Sequence, residues 1–454
     1  MTTPFDLELL ESQVRVALAA DDVDALRQLV AQIYPPDLAD IIDRLDDEDQ
    51  VRVFSLLGTE QAADVLDETS IDATRELISQ LPAEQAADIL EELDSDDAVA
   101  ILTEDVPERQ QELLAAMAPQ EAADVRELLR YPPQSAGRLL NDQFVALHES
   151  HTVAEAMERL RRIVHDSAII VYLYVLDDAD RLIGTVSLRR LLVEPPERRI
   201  ADLMRPAPIT VHPESDQEEV ARVVARYDLA AVPVVTGEGR MLGVVTVDDV
   251  IDILVEEGTE DVLKFGAVAQ GQADETYFTV PVTASVQRRI VWLLFLFVAG
   301  SITANVLEVF EAELQQVVAL AFFIPLLIGT GGNTGAQTVS TLIRAMARNE
   351  VRLRDVWRVL GRELLVGLIL GLLLGVIAFG RAFLEVSLPN LALTVALSVL
   401  AICVWANVIG ALVPIVARRL GVDPALVSAP LITTLVDASG LTIYLLIAKI
   451  LLGL

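Results

Sequence analysis

The chain has 454 residues, enough for several domains, and a formal net charge of −34 at pH 7. Residues 271–454 hold 12 basic and 11 acidic side chains, which leaves 22 basic and 57 acidic ones, a net of −35, in the first 270 residues. Such an acidic half excludes nucleic acid as a partner, because nucleic-acid binding needs basic patches. It favours high solubility first and binding of multivalent cations second.

Cysteine and histidine usage restricts the kind of metal that the protein can bind. The one cysteine, Cys403, lies in an apolar segment, and all four histidines lie in the acidic half. No disulfide framework or thiolate site is therefore expected, and a metal in the apolar half would be held by oxygen, which suits hard ions such as Mg²⁺ or Ca²⁺. No nucleophile–base constellation or Walker-type loop indicates an enzyme.

Residues 1–131 contain a repeat. Asp40, Asp64 and Asp88 recur every 24 residues, and Asp124 follows 36 residues further on, each after an alanine. Short helices of about ten residues fit between the repeats, so we predict an acidic α-helical superhelix of stacked hairpins. A scaffold without a ligand is as reasonable an interpretation of this domain as a binding module.

Residues 132–198 and 199–248 form a duplicated α+β unit. Helical patterns precede paired runs of β-branched residues, and Gly184 and Gly243 occupy equivalent positions 59 residues apart. A doubled pattern of this kind does not arise easily by chance, so we predict a tandem α+β pair.

Residues 249–271 are predicted to form a connecting helix. Val250, Ile251 and Leu254 supply an apolar stripe, and acids occupy the remaining surface. A solvated acidic face is the simplest interpretation. The alternative is a metal-sensing surface, because two acidic faces cannot meet without a cation between them.

Residues 285–454 are predicted to form a transmembrane domain of five helices, which makes this a mainly α membrane protein. The apolar spans are approximately 290–310, 316–343, 359–380, 390–415 and 427–452.

The loops between the spans predict the orientation in the membrane. Basic residues precede span 1 and lie between spans 2 and 3 and between spans 4 and 5, whereas the alternate loops are acidic or nearly neutral. Positive residues mark the cytoplasmic side. No signal peptide is visible at the N-terminus. We therefore expect a multi-pass protein of the cell membrane with cytoplasmic N-terminal domains and an extracytoplasmic C-terminus.

Asp437 is a carboxylate near the middle of the fifth span. Such an acid is costly in a bilayer unless it faces water, a partner or an ion, and no basic residue lies at comparable depth in any span. A cation-binding acid is preferred over a protonated structural acid. Mg²⁺ dehydrates reluctantly, so one carboxylate and backbone carbonyls suffice to hold a mostly hydrated ion. Thr433, one turn earlier on the same face, adds an oxygen.

The second span contains the polar run 325–337. Asn333 and Gln337 lie one turn apart and serve either a polar path or as hydrogen-bonded helix contacts. The glycines of the run serve either close helix packing or a break in the helix at the pore. The predicted pore residues of this run are Gly329, Gly332, Asn333, Thr334, Gly335 and Gln337.

Residues 325–337, the segment 423–440 and the order of the domains resemble the MgtE family of magnesium channels and transporters. The resemblance covers essentially the whole chain. It implies tandem CBS domains at 132–198 and 199–248, a plug helix at 249–271, and a homodimer with a Mg²⁺ path at the subunit interface. It also implies that Asp437 is the central pore acid, and that cytosolic Mg²⁺ closes the pore by binding between the acidic N, CBS and plug-helix surfaces.

Matching the family motif residue by residue gives the expected regulatory metal ligands. They are Asp64, Asp96, Asp216, Asp228, Asp249, Asp252, Glu257, Glu260 and Asp261.

Several positions depart from the family pattern. Ala336 and Ala429 stand where amides are expected near the pore, and Ala100 stands where an N-domain acid is expected. These departures affect the expected selectivity and one sensing site.

Members of the family can bind ATP at the CBS pair. Tyr172, Ser187 and Arg189 match that site, but Arg190 replaces the acid that would hold a ribose and Leu229 replaces an aromatic residue. ATP is therefore the weaker of the two ligand predictions.

The leading hypothesis is a Mg²⁺-selective channel or transporter that mediates uptake and is gated by cytosolic Mg²⁺. Two alternatives remain: a transporter or exchanger for another divalent cation such as Co²⁺, and a membrane-anchored CBS sensor that moves no ion.

Overall fold

The computed structural model describes residues 7–104, 106–163, 172–269, 271, 280–348, 350–386 and 388–454. Its internal contacts divide the chain into two units, Met1–Glu257 and Gly258–Leu454.

The described part of residues 7–131 folds into short helices. They are α1 (Leu7–Ala19), α2 (Val23–Val30), α3 (Pro35–Ile42), α4 (Asp47–Phe54), α5 (Thr59–Asp67), α6 (Ile71–Gln80), α7 (Ala83–Leu90), α8 (Ser95–Glu104), α9 (Pro107–Ala116) and α10 (Pro119–Leu128). The odd-numbered helices α1 to α9 contact one another in succession, and so do α4, α6, α8 and α10. This two-layer stack is the predicted arrangement of helical hairpins.

The repeat explains how the stack is held together. In α5, Ala63 and Leu66 are buried while Asp64 between them is exposed, and the equivalent positions of α3 and α7 behave in the same way. The small alanine allows close helix contact and the aliphatic residue fills the core, so the recurring aspartate is left at the surface.

Residues 132–246 form two similar α+β halves. The strands are β1 (Ala146–His148), β2 (Tyr172–Leu176), β3 (Leu182–Ser187), β4 (Arg205–Pro206), β5 (Ala231–Val235) and β6 (Met241–Thr246), with helices α11 (Val153–Ile163), α12 (Leu188–Val193) and α13 (Gln217–Tyr227). One sheet has the order β1-β2-β3-β4, with β1 parallel to β2 and the other pairs antiparallel, and β5 pairs antiparallel with β6.

The duplication is visible in backbone detail. The register shifts after Val175 in one half and after Val234 in the other, positions that are equivalent in the 59-residue offset. Added Cβ atoms at Gly184 and Gly243 would lie 2.8 Å from Met204 Sδ and 2.7 Å from the Asn141 carbonyl oxygen, respectively, so both positions require glycine.

Helix α14 (Val247–Phe265) follows the second half. The apolar part then forms α15 (Val282–Val309), α16 (Glu311–Gln316), α17 (Ala319–Ala347), α18 (Val356–Val386), α19 (Pro389–Arg419) and α20 (Ala429–Leu452). Within the described residues, five helices are long and apolar enough to cross a membrane, as predicted. Helix α19 is the centre of this unit, since it packs against α17, α18 and α20 and is the most buried of the five.

Candidate ion-binding sites

Helix α17 carries the polar run and is continuous from Ala319 to Ala347. The glycines therefore do not break the helix; they allow it to approach its neighbours. A Cβ at Gly331 would lie 2.6 Å from Ile402 Cγ2, and one at Gly335 would lie 2.9 Å from Ile432 Cγ2. Of the two roles considered for the glycines, close packing of α17 on α19 and α20 is the one that this geometry supports.

Asp437 lies on α20 where α20 meets α17. Its Oδ1 is 3.4 Å from the position of a Cβ built on Gly332, so the carboxylate rests against the glycine backbone. The side chain is half-buried, and no hydrogen-bond or ion-pair partner for it occurs in the described part of the chain. A partly desolvated carboxylate with free oxygen lone pairs can accept a hydrated cation.

Thr433 contacts the same glycine from one turn earlier on α20, with its Cγ2 3.2 Å from the built Cβ of Gly332. Its hydroxyl donates to the carbonyl oxygen of Pro430 at 2.9 Å. The donor is therefore satisfied within the helix, and the hydroxyl oxygen keeps lone pairs that can contact a cation. Asp437 and Thr433 share one face of α20, and the structure brings both against Gly332 of α17.

The remaining predicted pore residues divide between two faces of α17. Gly329, Asn333 and Gln337 are spaced by four residues and are exposed on one face of this single chain. Thr334 is buried instead: its hydroxyl donates to the Thr330 carbonyl oxygen at 2.7 Å. Gly335 lies in the contact with α20, so Thr334 and Gly335 hold helices together while Asn333 and Gln337 face outward.

A buried polar contact between α17 and α19 was not predicted from the sequence. Asn407 is 1% exposed; its amide donates to the Cys403 carbonyl oxygen, and its Oδ1 accepts from the Thr338 hydroxyl, both at 2.8 Å. The bond from Thr338 on α17 to Asn407 on α19 identifies this contact as interhelical hydrogen bonding. An asparagine within an otherwise apolar span was the available signal.

Unit Met1–Glu257 contains a second candidate site, the acid cluster, defined as Asp67, Asp94, Asp96, Asp97 and Asp249. Carboxylate oxygens of Asp94, Asp96 and Asp97 all lie within 4.8 Å of one another. The first of them precedes α8 and the other two lie in its first turn, where the helix dipole favours negative charge. Side-chain oxygens at this spacing can share one divalent cation.

The acid cluster is held in place by polar neighbours. The Asn141 amide donates to Asp94 Oδ2 at 2.7 Å, and the Thr246 hydroxyl donates to Asp249 Oδ2. Asp97 shares a hydrogen bond with Asp67. Asp96 is only 6% exposed, and its Oδ1 has no hydrogen-bond partner in the described part of the chain. A buried carboxylate oxygen that has no hydrogen-bond partner and lies among other acids has the environment expected of a cation ligand.

The electrostatics of the acid cluster oppose ionisation without a cation. Burial, followed by the charges of Asp96 and Asp67, raises the pKa of Asp97 to about 10. Burial also raises the pKa of Asp67 to about 6, and burial together with the charge of Asp249 raises the pKa of Asp96 well above its usual range. A divalent cation would relieve both the desolvation and the mutual repulsion.

Asp96 and Asp249 were among the predicted regulatory ligands, whereas Asp67, Asp94 and Asp97 were missed. The run Asp94-Ser-Asp-Asp97 was a usable signal, but Asp67 is brought in only by the stacking of the helices.

The other predicted regulatory acids lie outside the acid cluster. Asp64 is exposed on α5, Asp216 caps α13 by accepting from the Glu218 amide, and Asp228 ends the same helix with a positive φ of 50°. On α14, Glu257 accepts from the Gln217 amide at 3.1 Å. Burial raises the pKa of Glu68, and the charge of Asp252 raises it further. Glu260 pairs with Lys264. Asp261 has a partner of its own.

The end of α14 contacts the helices that carry the pore candidates. Phe265 packs against the hydrophobic cluster that includes Ile432 and Val436, which are close neighbours of Asp437 along α20. Lys264 Nζ lies 2.9 Å from Asp423 Oδ2 in the segment that leads into α20. Within unit Gly258–Leu454, the end of α14 therefore contacts both α20 and the segment that leads into α20.

The α+β pair contains a cavity of about 310 Å³. Its lining includes Tyr172, Ser187, Arg190, Arg205 and Leu229. Arg189, which was predicted to bind a nucleotide, is exposed on α12 and is not part of that lining. Arg190, which replaces the expected acid, instead lines the cavity.

Comparison with known proteins accounts for the whole chain. Residues 324–447 match the MgtE model, described as a divalent cation transporter, residues 33–134 match the MgtE intracellular N domain, and residues 136–197 and 200–256 match the CBS domain. The Magnesium transporter MgtE of Thermus thermophilus is 42% identical over 448 residues, which are 98% of this chain and 99% of that protein. The chain belongs to the MgtE family.

Further relatives agree with this assignment. The Magnesium transporter MgtE of Bacillus subtilis is 32% identical over 96% of each chain. The cytosolic domain of the Mg²⁺ channel MgtE, crystallised with ATP, is 39% identical and covers 54% of this chain and 99% of its own, with a TM-score of 0.52. The soluble part of a magnesium transporter is 30% identical over 55% of this chain and 99% of its own, with a TM-score of 0.51. The predicted family, helical N domain, CBS pair and five membrane helices are thereby confirmed.

Proposed function

We propose that this MgtE-family membrane protein carries Mg²⁺ into the cell and that Asp437 is the acid that holds the ion in the pore. The observation that carries the proposal is the half-buried carboxylate of Asp437 against Gly332, which has no hydrogen-bond or ion-pair partner among the described residues. A single carboxylate with Thr433 and water suits a small ion that keeps most of its hydration shell, and weak binding is what rapid conduction requires.

The test is growth rescue of a bacterium that lacks its own Mg²⁺ uptake systems. The wild type should restore growth at low Mg²⁺, and Asp437→Asn should not, because the amide keeps the shape and loses the charge. Thr442→Val is the matched control, since Thr442 lies on the same helix and donates only to the Ala438 carbonyl oxygen. A wild type that reaches the membrane and fails to rescue would refute transport.

Uptake assays separate this proposal from the two alternatives. A transporter for another divalent ion would show Co²⁺ or Ca²⁺ uptake that excess Mg²⁺ does not suppress. Ala336 and Ala429, in place of amides, make this comparison necessary. A CBS sensor that moves no ion would give the same null flux for the wild type and Asp437→Asn.

We propose further that cytosolic Mg²⁺ closes the pore by binding at the acid cluster. Asp249, near the start of α14, belongs to the acid cluster, and Phe265, at the end of the same helix, packs beside Val436. A cation that favours one arrangement of the acids would bias this helix and hence its contact with α20. The remaining predicted acids, from Asp64 to Asp261, would add further sites and steepen the response.

Limited proteolysis of the full-length protein tests the gating proposal. Millimolar Mg²⁺ should protect residues 249–271 from cleavage. Unchanged cleavage of that segment with and without Mg²⁺ would contradict gating while leaving transport intact.

We propose that the working unit is a homodimer. Asn333 and Gln337 are exposed on α17 in a single chain, and amides facing lipid are unfavourable, so a second copy would enclose them. Asn333→Cys in a Cys403→Ala background should cross-link between subunits in membranes. Leu384→Cys, on α18 and 84% exposed, is the control that should not.

ATP is the second ligand that we propose, for the CBS cavity. Tyr172 offers a ring for stacking, and Arg190 and Arg205 offer charges for phosphate. A related cytosolic domain was crystallised with ATP. Equilibrium dialysis against millimolar ATP tests it; Arg190→Glu should abolish binding, and no binding by the wild type would end the proposal.

A further inference from the structure

The membrane unit contains a cavity of about 660 Å³ between α17, α18 and α19, called the vestibule below. Its wall on α17 runs from Thr334 to Ala345, and its wall on α18 extends to Leu370. Asn407 of α19 lines it as well. The loop between α17 and α18 lies at its mouth, on the membrane face from which α15 also starts.

The vestibule reaches deep into the membrane. Asn407 lies about 18 Å before the end of α19 at Arg419, at about 1.5 Å per residue, whereas the hydrocarbon core is about 30 Å thick. Thr334 is close to Gly332 along α17, and Gly332 contacts Asp437. The inner end of the vestibule therefore lies near the depth of the proposed pore acid.

The inner wall of the vestibule offers hydrogen-bond acceptors. The hydroxyls of Thr334, Thr338 and Thr341 each donate to a carbonyl oxygen of their own helix, at 2.7, 3.1 and 2.8 Å. The Asn407 amide likewise donates to the Cys403 carbonyl oxygen. Because these donors are used, the hydroxyl oxygens offer mainly their lone pairs to a guest. Water bound to a cation has its hydrogens directed outward, so it needs acceptors of this kind.

The charged residues of the vestibule give it a small excess of negative charge. Three acids and two arginines line it: Glu350, Asp355, Glu363, Arg358 and Arg362. Two of the acids have contacts elsewhere, since Glu350 pairs with Arg348 at 3.3 Å and Asp355 accepts from the Arg352 amide at 3.0 Å.

Glu363 is the third acid of the vestibule and lies on the membrane helix α18. It is partly buried, and no hydrogen-bond or ion-pair partner for it occurs among the residues that the structure describes. An acid in a membrane helix that faces a cavity typically marks an ion or proton path. Glu363 was not among the residues predicted from the sequence.

The volume of the vestibule is sufficient for a hydrated ion. The six water molecules around an octahedral Mg²⁺ occupy roughly 180 Å³, at about 30 Å³ each. The vestibule is several times larger, so an ion can enter without losing its hydration shell. This matters because Mg²⁺ dehydrates reluctantly.

We propose that the vestibule is a water-filled part of the ion path and that Glu363 attracts the hydrated divalent cation into it. This inference rests on the proposed Mg²⁺ transport and adds the route of the ion between Asp437 and the membrane face at the mouth. Gln337 connects the two parts of the route, because it lines the vestibule and lies one turn from Asn333 on the exposed face of α17.

Cysteine accessibility in the full-length protein tests the vestibule without requiring transport. Val366 lines it one turn beyond Glu363, whereas Leu365 is 57% exposed and is not part of the lining. In a Cys403→Ala background, Val366→Cys in membrane vesicles should react with the cation trimethylammonioethyl methanethiosulfonate (MTSET) added at the mouth. Leu365→Cys is the matched control at the same depth and should react at least tenfold more slowly.

The charge of Glu363 is tested with the same reaction. Glu363→Gln should slow the reaction of Val366→Cys with MTSET about tenfold, because a charge about 6 Å away is lost. It should speed the reaction with the anion sulfonatoethyl methanethiosulfonate (MTSES). Glu385→Gln is the control, because Glu385 lies near the other end of α18, outside the vestibule, and should change neither rate.

Modification of the folded protein tests the route itself. Proteoliposomes with Val366→Cys should lose Mg²⁺ flux about tenfold after MTSET treatment, because the attached group adds bulk and positive charge to the vestibule. Leu365→Cys should conduct equally before and after treatment. Each variant serves as its own reference before treatment, so a folding defect cannot produce this result.

Three results would overturn the proposal and leave transport intact. A Val366→Cys protein that does not react with MTSET has a vestibule that is dry or covered by a second copy. A Glu363→Gln change that affects MTSET and MTSES alike shows that Glu363 does not attract cations. Complete modification without loss of flux places the ion on another route. A wild type that conducts no Mg²⁺ would instead refute transport and this route together.

Discussion

The two candidate ion sites place carboxylates away from water in opposite ways. Asp437 is half-buried against Gly332, with Thr433 beside it and no ion-pair partner in the part of the chain that the structure describes. The acid cluster packs several acids together, and burial followed by the charges of its neighbours raises the pKa of Asp97 to about 10. A single carboxylate gives the weak binding that a conducted ion needs. Several like charges held close together instead create a strong preference for the arrangement with a bound cation. The difference supports the proposal that the first site serves transport and the second serves sensing.

The prediction with the largest expected effect tests Asp437, the pore acid of this comparison. Asp437→Asn should lower Mg²⁺ flux into proteoliposomes roughly a hundredfold, equivalent to about 3 kcal/mol for the loss of one charged ligand. Asp97→Asn in the acid cluster should keep a wild-type flux at low Mg²⁺. Normal flux through Asp437→Asn would remove the distinction between the two sites.

The glycine contact that supports Asp437 can be tested by its stability. Gly331→Ala should lower the free energy of unfolding by about 2 kcal/mol, because its Cβ would overlap Ile402 and Val436. Gly329→Ala is the control, since nothing lies within 4 Å of its Cβ position. Thermal unfolding in detergent measures both, and equal midpoints would show that α17 does not depend on this contact.

The acid cluster is tested by its response to Mg²⁺. Asp97→Asn should raise the Mg²⁺ concentration needed for protease protection about tenfold, a usual coupling between sites. Asp88→Asn is the control, because Asp88 is an exposed acid of the Ala-Asp repeat on α7. It should leave the midpoint unchanged. A wild-type midpoint in Asp97→Asn would exclude the acid cluster as the sensor.

The same variant should change the pH dependence of stability in the absence of Mg²⁺. The pKa of Asp97 rises from 3.8 to about 10 on folding, so the folded state keeps a proton that the unfolded state has lost at neutral pH. Stability should therefore fall as the pH rises from about 4 towards 10. Asp97→Asn should flatten this fall in thermal unfolding, and an unchanged slope would contradict the assigned burial.

The smallest expected effect separates structural amides from those of the pore. Asn407→Ala should cost about 0.6 kcal/mol, a typical value for one hydrogen bond between membrane helices. Its flux should remain that of the wild type. Asn333→Ala should instead lower flux with little change in the thermal midpoint, and the reverse pattern would exchange the two roles.

Local sequence patterns predicted most of the architecture. The Ala-Asp repeat and the 59-residue duplication report burial on one face of a helix or strand, and this periodicity is written in the order of the residues. The five apolar spans are recognised by their length and hydropathy. The family motif around Asp437 added the expected chemistry. These features depend on contacts that recur along the chain, so no knowledge of distant neighbours was needed.

The sites were only partly predictable. Asp67, the last residue of α5, joins Asp97 across 30 positions of the chain because α6, which follows Asp67, stacks on α8. The sequence does not show which of its many acids will meet. Thr334 and Asn333 are adjacent and equally polar, yet one is buried against α19 and the other exposed. A helix turns about 100° per residue, so the face that meets a neighbour depends on packing.

The sequence by itself determined the domain order, the acidic half and the presence of an intramembrane acid, because composition and periodicity are local properties. Only the tertiary structure decided that the glycines of α17 serve close packing, that Asp437 rests on Gly332, and that three unpredicted acids complete the acid cluster. Each of these depends on which side chains from distant segments come into contact, and the energy of those contacts depends on the packing of the whole chain.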